Sequence, residues 1–137
     1  MRPRSLLLSL PFVLAASVSA AQSATQPAQD AAAAWLQLAD TAQYGPSWDA
    51  AAAFFKAAMP RAAWEAALKS VRPGLGAVRS RQLKSAIFTR TLPGAPDGEY
   101  VVIQYRTRFE HKADALETIT PMRDPDGSWK VSGYFIR

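Results

Sequence analysis

The sequence predicts an α+β domain in which three N-terminal helices pack on one face of a four-stranded antiparallel meander sheet. Three observations lead there. Apolar residues recur with a period of about 3.6 between Asp30 and Val71, and with a period of about 2 after Gly76. Proline and glycine fall at the joints between these stretches. Only short turns separate the two-periodic stretches, which suits antiparallel neighbours, since parallel pairing needs a long crossover.

The chain opens on Met1-Arg2-Pro3-Arg4, runs through Leu6, Leu7, Leu8, Leu10, Phe12, Val13 and Leu14, and then turns to small residues ending Val18-Ser19-Ala20-Ala21. Basic, apolar and small-residue regions in that order are those of a secretory signal. The apolar run is shorter than the roughly 20 residues of a spanning helix, and Pro11 interrupts it. With no cysteine after the run, a lipoprotein anchor is excluded. The expectation is a signal peptide over residues 1–20, cleaved near Ala20 or Ala21, and a periplasmic or secreted product without a transmembrane segment. Residues 21–29 are polar and unpatterned and read as a flexible leader. Residues 30–137 then form one domain, as the length suggests.

The first helix is expected over Asp30–Ala42, with Trp35, Leu38, Ala39 and Ala42 at helical spacing and Asp30 at its start. Tyr44-Gly45-Pro46 breaks it. Ser47 reads as the N-cap of a second helix carrying Trp48, Ala51, Ala52, Phe55 and Met59, which Pro60 ends. The third carries Trp64, Ala67, Leu68 and Val71 and stops at Arg72-Pro73-Gly74. Strands follow over Val78–Leu92, Glu99–Phe109, Ala113–Met122 and Ser128–Arg137, with dense turn chemistry at Pro93–Gly98 and at Asp124-Pro125-Asp126-Gly127. In the second strand Val101, Ile103, Tyr105, Thr107 and Phe109 share one face; in the fourth, Trp129, Val131, Gly133 and Phe135 do.

Composition narrows the chemistry. The chain has 137 residues, no cysteine and one histidine, which excludes thiol redox chemistry and nearly every soft or imidazole-based metal site. Loss of Arg2 and Arg4 with the signal leaves 14 basic against 11 acidic residues, a net charge of +3. That mild excess favours anionic surfaces without requiring them. Nucleic acid is not expected, because neither a basic arm nor a recognition motif is present. No cofactor or metal site is expected.

Several segments resemble one bacterial family: Trp35-Leu36-Gln37-Leu38, Ser47-Trp48, Trp64, Val71-Arg72, Leu75-Gly76, Ser80-Arg81, Leu92 through Tyr100, Glu117-Thr118, and Asp126 through Tyr134. Together they are similar to domain-of-unknown-function family 4019, over about Ala33 to Arg137. The resemblance implies a bacterial exported, periplasmic protein and brings no activity. The order of helices then sheet is also similar to the cystatin-like, nuclear-transport-factor-like cone fold, which hosts isomerases, dehydratases and non-catalytic binding domains.

No residues stand out as catalytic. The tryptophans Trp35, Trp48, Trp64 and Trp129 read first as core between helices and sheet. The alternative is an aromatic ligand pocket formed by Trp48, Tyr105, Glu117 and Trp129. Glu117 reads first as an outward carboxylate paired with Arg106, Arg108 or Lys130; facing inward, it would be a candidate general base beside Tyr105. Arg79, Arg81, Arg106 and Arg108 form either a basic patch on the open sheet face or ordinary solubilising charge. His111 is expected in a solvated loop, and Ser80 and Ser132 have no recognisable base. The leading functional expectation is a non-enzymatic domain binding a small apolar ligand or an envelope protein. The alternatives are a cone-fold enzyme with Glu117 as base, and a structural homodimer using Tyr100, Val102 and Tyr134.

Overall fold

The computed structural model describes the backbone of residues 15–137 and the side chains from residue 24 onward. The basic leader and the apolar run to Leu14 lie outside the described residues. The order is α1 (Ala15–Asp40), α2 (Tyr44–Asp49), α3 (Ala53–Ala58), α4 (Arg61–Leu75), β1 (Val78–Thr89), β2 (Tyr100–Phe109), β3 (Lys112–Arg123) and β4 (Trp129–Ile136). The strands form one antiparallel sheet in the order β1-β2-β3-β4. The α+β class, the meander and its strands therefore stand as expected, with four helices among the described residues in place of three.

The helices depart from the sequence reading in ways local chemistry explains. Helix α1 does not wait for Asp30. Residues 24–29, expected to be a flexible leader, are helical, and Ala28 is 1% exposed. Alanine-rich sequence favours helix, and Ala28, Ala32, Trp35, Leu36 and Ala39 make the buried stripe that seats α1 on the sheet. The expected cleavage position at Ala20 or Ala21 falls within the helical backbone of α1.

The single helix expected from Ser47 to Met59 is two short ones. Between them Ala52 is extended, and its N–H bonds to the Val131 carbonyl at 2.8 Å, so the chain touches the edge of β4 before α3 begins. Tyr44-Gly45-Pro46 starts α2 instead of breaking the chain, because proline is tolerated in a first turn. Ser47 is consequently inside α2, not its N-cap. It is buried, its Oγ donates to the Tyr44 carbonyl at 2.6 Å, and Trp64 Nε1 donates to that Oγ at 3.0 Å. Trp35 Nε1 donates to the Ser47 carbonyl at 2.9 Å. One serine thus satisfies two buried indoles and joins α1, α2 and α4.

Helix α4 continues through Pro73 to Leu75 and ends at Gly76, whose φ is +75°. Gly76 is required twice over: a Cβ there would lie 2.8 Å from Cβ of Glu110. The buried residues of α4 are Trp64, Leu68 and Arg72; Val71, expected on the stripe, is exposed.

In the sheet, Val101, Ile103, Thr107, Phe109, Ala115, Ile119 and Val131 are buried, and Val101, Ile103, Ile119 and Val131 join the α1 and α4 side chains in the main core. The fourth strand needs a correction. A register shift opposite Thr120 and Pro121 leaves Ser132 as an extra residue, so the face alternation reverses beyond it. Trp129, Val131 and Tyr134 pack with the core, whereas Phe135 is exposed. The Asp-Gly turn forms as read, with Gly127 at φ +86° and its N–H bonded to the Asp124 carbonyl at 2.9 Å. Among the described residues, no helix is long and apolar enough to cross a membrane.

Ala42 closes α1 with φ +58°, and Gln43 N–H bonds to the Leu38 carbonyl at 2.8 Å. This is the left-handed C-terminal cap that glycine normally supplies. Ala42→Gly is expected to raise unfolding stability by about 1 kcal/mol, because it removes the left-handed Cβ penalty. Chemical denaturation checks this; an unchanged or lower midpoint at equal slope contradicts it.

Candidate functional site: a chain of ion pairs and an apolar groove

Two features stand out on the helix side of the sheet. The first is polar and runs from the buried interior to the surface. Glu117 points inward from the middle of β3 and is 0% exposed. The open-face reading is therefore wrong, and its partners are not Arg106, Arg108 or Lys130. Arg81 Nε donates to Glu117 Oε1 at 2.7 Å and Arg81 Nη2 to Oε2 at 3.2 Å. Thr107 Oγ1 donates to Oε1 and Tyr134 Oη to Oε2. Arg81 reaches on to Asp40 at the end of α1, with Nη1 to Oδ2 at 2.8 Å and Nη2 to Oδ1 at 3.0 Å. Arg72 of α4 completes the chain, with Nη2 to Asp40 Oδ1 at 2.7 Å and Nη1 to Tyr134 Oη at 3.4 Å. The Arg72 guanidinium also lies over the Phe109 ring at 5.2 Å.

Guanidinium and carboxyl groups alternate along this chain, in the order Arg72, Asp40, Arg81, Glu117. The arrangement balances charges that burial would otherwise penalise. Partial burial works to raise the Asp40 pKa, but hydrogen bonds and charge from Arg81 and Arg72 outweigh it and hold the carboxyl below its ordinary value. For Arg81 burial works against the charge, and Asp40 and Glu117 reverse it, so its pKa is raised. Burial, then the neighbouring Glu117, raises that of Tyr134. Tyr105, opposite Glu117 on β2, is likewise raised, chiefly by burial. Every oxygen of Glu117 is already held by donors, and Trp35, Phe55, Trp64 and Tyr134 enclose a space with no room for a water molecule. The Trp35 and Tyr134 rings meet edge-on at 5.0 Å, as do Phe55 and Trp64.

The second feature is open. A groove of about 390 Å³ runs between α1 and the start of β4, lined by Ala31, Ala34, Trp35 and Leu38 on one wall and Trp129 and Val131 on the other. Ala31, Ala34 and Leu38 repeat at i, i+3, i+7 and so share a face of α1. The small side chains of Ala31 and Ala34 leave the gap that Trp129 lines from the other side. Arg123 lies over the Trp129 ring at 5.2 Å.

The four residues read as a pocket do not converge. Tyr105 and Glu117 are neighbours on β2 and β3. Trp129 sits at the other end of the β3–β4 hairpin, opposite Arg123, whereas Glu117 is opposite Ile136. Trp48 fastens helices together through Nε1 to the Met59 carbonyl at 2.7 Å. The basic patch also divides. Arg81 is half-buried and held in the ion-pair chain, Arg79 pairs with Glu110 at 3.1 Å, and Arg106 and Arg108 stay exposed on the outer sheet face. Two of the three expected dimer contacts are not free either: Tyr100 is buried with its Oη on the Pro96 carbonyl at 2.5 Å, and Tyr134 faces the core. His111 is exposed in the β2–β3 turn, 3.2 Å from Glu110.

Asp40, Arg72, Thr107 and Tyr134 escaped the sequence reading. A signal for Arg72 was present, since it continues the Trp64, Leu68 spacing by one more i+4 step. Arg81 was obscured by the register shift between Val78 and Ser80, which moves it to the inner face.

The pKa directions set pH limits. Asp40 is depressed, so its stabilisation is present above the unfolded carboxyl value of about 3.9 and is lost as pH falls through the lower folded value. Tyr134 is raised, so its contribution is intact below about pH 10 and is lost as pH climbs beyond it. Tyrosinate absorbance under alkaline titration is expected to show Tyr134 ionising only with cooperative unfolding. Loss of that late step in Tyr134→Phe identifies it; a Tyr134 that titrates near pH 10 with the fold intact contradicts the geometry.

A family profile described as a protein of unknown function (DUF4019) matches residues 31–134. No curated protein matches the chain. The match takes in α1 from Ala31 onward, the remaining helices and β1 to β3, and β4 as far as Tyr134, with all four members of the ion-pair chain inside it. The chain belongs to the DUF4019 family.

Proposed function

We propose that this chain is an exported, periplasmic domain that binds a small apolar ligand and catalyses no reaction. The observation that carries the reading is the groove between α1 and β4: about 390 Å³ of open space walled mostly by alanine, leucine, valine and tryptophan, with Ser128 and Lys130 also in the lining. Pockets of this size and lining suit small apolar molecules. Export rests on the order of basic, apolar and small residues before Ala21. The cystatin-like cone analogy is compatible with binding, since helices there cover one face of a curved sheet.

The enzyme reading draws on one specific observation, the inward Glu117 beside Tyr134 and Tyr105. A general base must reach a substrate proton. Here both carboxyl oxygens are engaged by Arg81, Thr107 and Tyr134, and the side chain is wholly buried, away from a substrate. Binding in the groove is therefore the better supported function.

The test uses the neutral fluorophore N-phenyl-1-naphthylamine. It is expected to bind with quenching of tryptophan emission. Ala34→Trp, which fills the groove from an exposed position, is expected to weaken binding at least tenfold at unchanged melting temperature. Equal binding in the variant removes the groove as the site. Intact-mass analysis of protein recovered from the periplasm is expected to give an N-terminus at Ala21 or Gln22; a retained Met1 argues against export by cleavage.

A further inference from the structure

The outer face of the sheet carries a second surface, independent of the groove. Ile87 is 60% exposed and Phe135 50%. Ile87 is opposite Val102. Ser85, Gln104, Thr118 and Phe135 follow one another across the four strands. In the next row Gln82, Arg106 and Leu116 are opposite one another, and Leu116 exchanges both backbone hydrogen bonds with Arg137 at 2.9 Å. The Arg137 guanidinium lies 5.5 Å over the Phe135 ring. Arg108 is opposite Ser80 one step further. Arg106, Arg108 and Arg137 form no ion pair among the described residues, and Asp114 is the sole carboxylate at an outward strand position.

We infer that this face docks on an anionic phospholipid surface, with Ile87 and Phe135 entering the interface and Arg106, Arg108 and Arg137 holding lipid phosphates. The charge pattern selects the occupant. A second copy meeting this face about a two-fold axis would oppose guanidinium groups with guanidinium groups, which is unfavourable. A phosphate-bearing plane satisfies all three, and guanidinium binds phosphate through paired N–H donors. Exposed apolar side chains beside such cations are the composition of a surface that lies in a membrane interface. Arg79 and Arg81 take no part, being committed to Glu110 and to the ion-pair chain.

Co-sedimentation of the full chain with vesicles tests it, comparing phosphatidylcholine alone with phosphatidylcholine containing about a third phosphatidylglycerol. Binding is expected to the anionic vesicles and to weaken with salt. Each lost guanidinium is expected to reduce partitioning about fivefold, so Arg106→Gln with Arg108→Gln should weaken it about 25-fold, and charge reversal at both should weaken it further. Ile87→Ser with Phe135→Ser should weaken it several-fold. Lys69→Glu on α4 and Ala34→Trp in the groove should leave it unchanged, which separates this surface from the groove. Far-UV circular dichroism verifies that each variant is folded. Equal binding to both vesicle types, or undiminished binding in the glutamine and serine variants, overturns the proposal, the latter assigning the affinity to another part of the chain. No binding at all overturns it too. So does tighter binding to polyglutamate than to vesicles, or a concentration-dependent dimer sensitive to the same substitutions.

Discussion

The fold depends on one ionic chain, Arg72–Asp40–Arg81–Glu117, which runs from the buried Glu117 through the half-buried Arg81 to Asp40 at the surface and back to the buried Arg72, and is closed by Tyr134 and Thr107. Its members come from α4, α1, β1, β3, β4 and β2, so none of these six elements can shift without breaking a hydrogen bond of the network. The apolar core fixes which faces meet, but apolar contact is non-directional. Hydrogen bonds between guanidinium and carboxyl groups are directional, and they specify where α1 ends over the sheet. Removing Arg81 leaves Glu117 fully buried without its guanidinium partner, a change that typically costs about 3–5 kcal/mol.

This constraint divides the helix side of the molecule in two. Glu117 is wholly buried, its charge is balanced and both its oxygens are engaged, while the rings of Trp35, Phe55, Trp64 and Tyr134 pack against one another in the helix–sheet core. At the other end of the β3–β4 hairpin, alanines on α1 leave a groove that Trp129 lines from the other side. A carboxylate used as structure and a groove left open fit a binding domain better than an active site. The outer sheet face, with Ile87, Phe135 and unpaired arginines, is separate from both.

The strands were legible in the sequence because each carries its own signal: alternation in Val101 to Phe109, and turn chemistry at Asp126-Gly127. The helices were less so, because Pro46, Pro60 and Pro73 each permit two readings. Proline can begin a helix or end one, and only packing decides. Faces were lost where the ladder slips. The extra residue at Ser132 exchanged Tyr134 with Phe135, and the irregularity near Arg79 turned Arg81 inward. The groove was illegible for a different reason: Ala31 and Ala34 matter for the volume they do not fill, and nothing in local pattern records an absence.

The most direct measurement of the central claim is a double-mutant cycle on Arg81 and Glu117, using Arg81→Met, Glu117→Gln and the pair, read by chemical denaturation. Each single substitution is expected to cost several kcal/mol, and the double to cost less than their sum by about 2 kcal/mol, the coupling of groups in one network. Costs that add to within about 0.5 kcal/mol would contradict the account, because the two groups would then stabilise the fold independently.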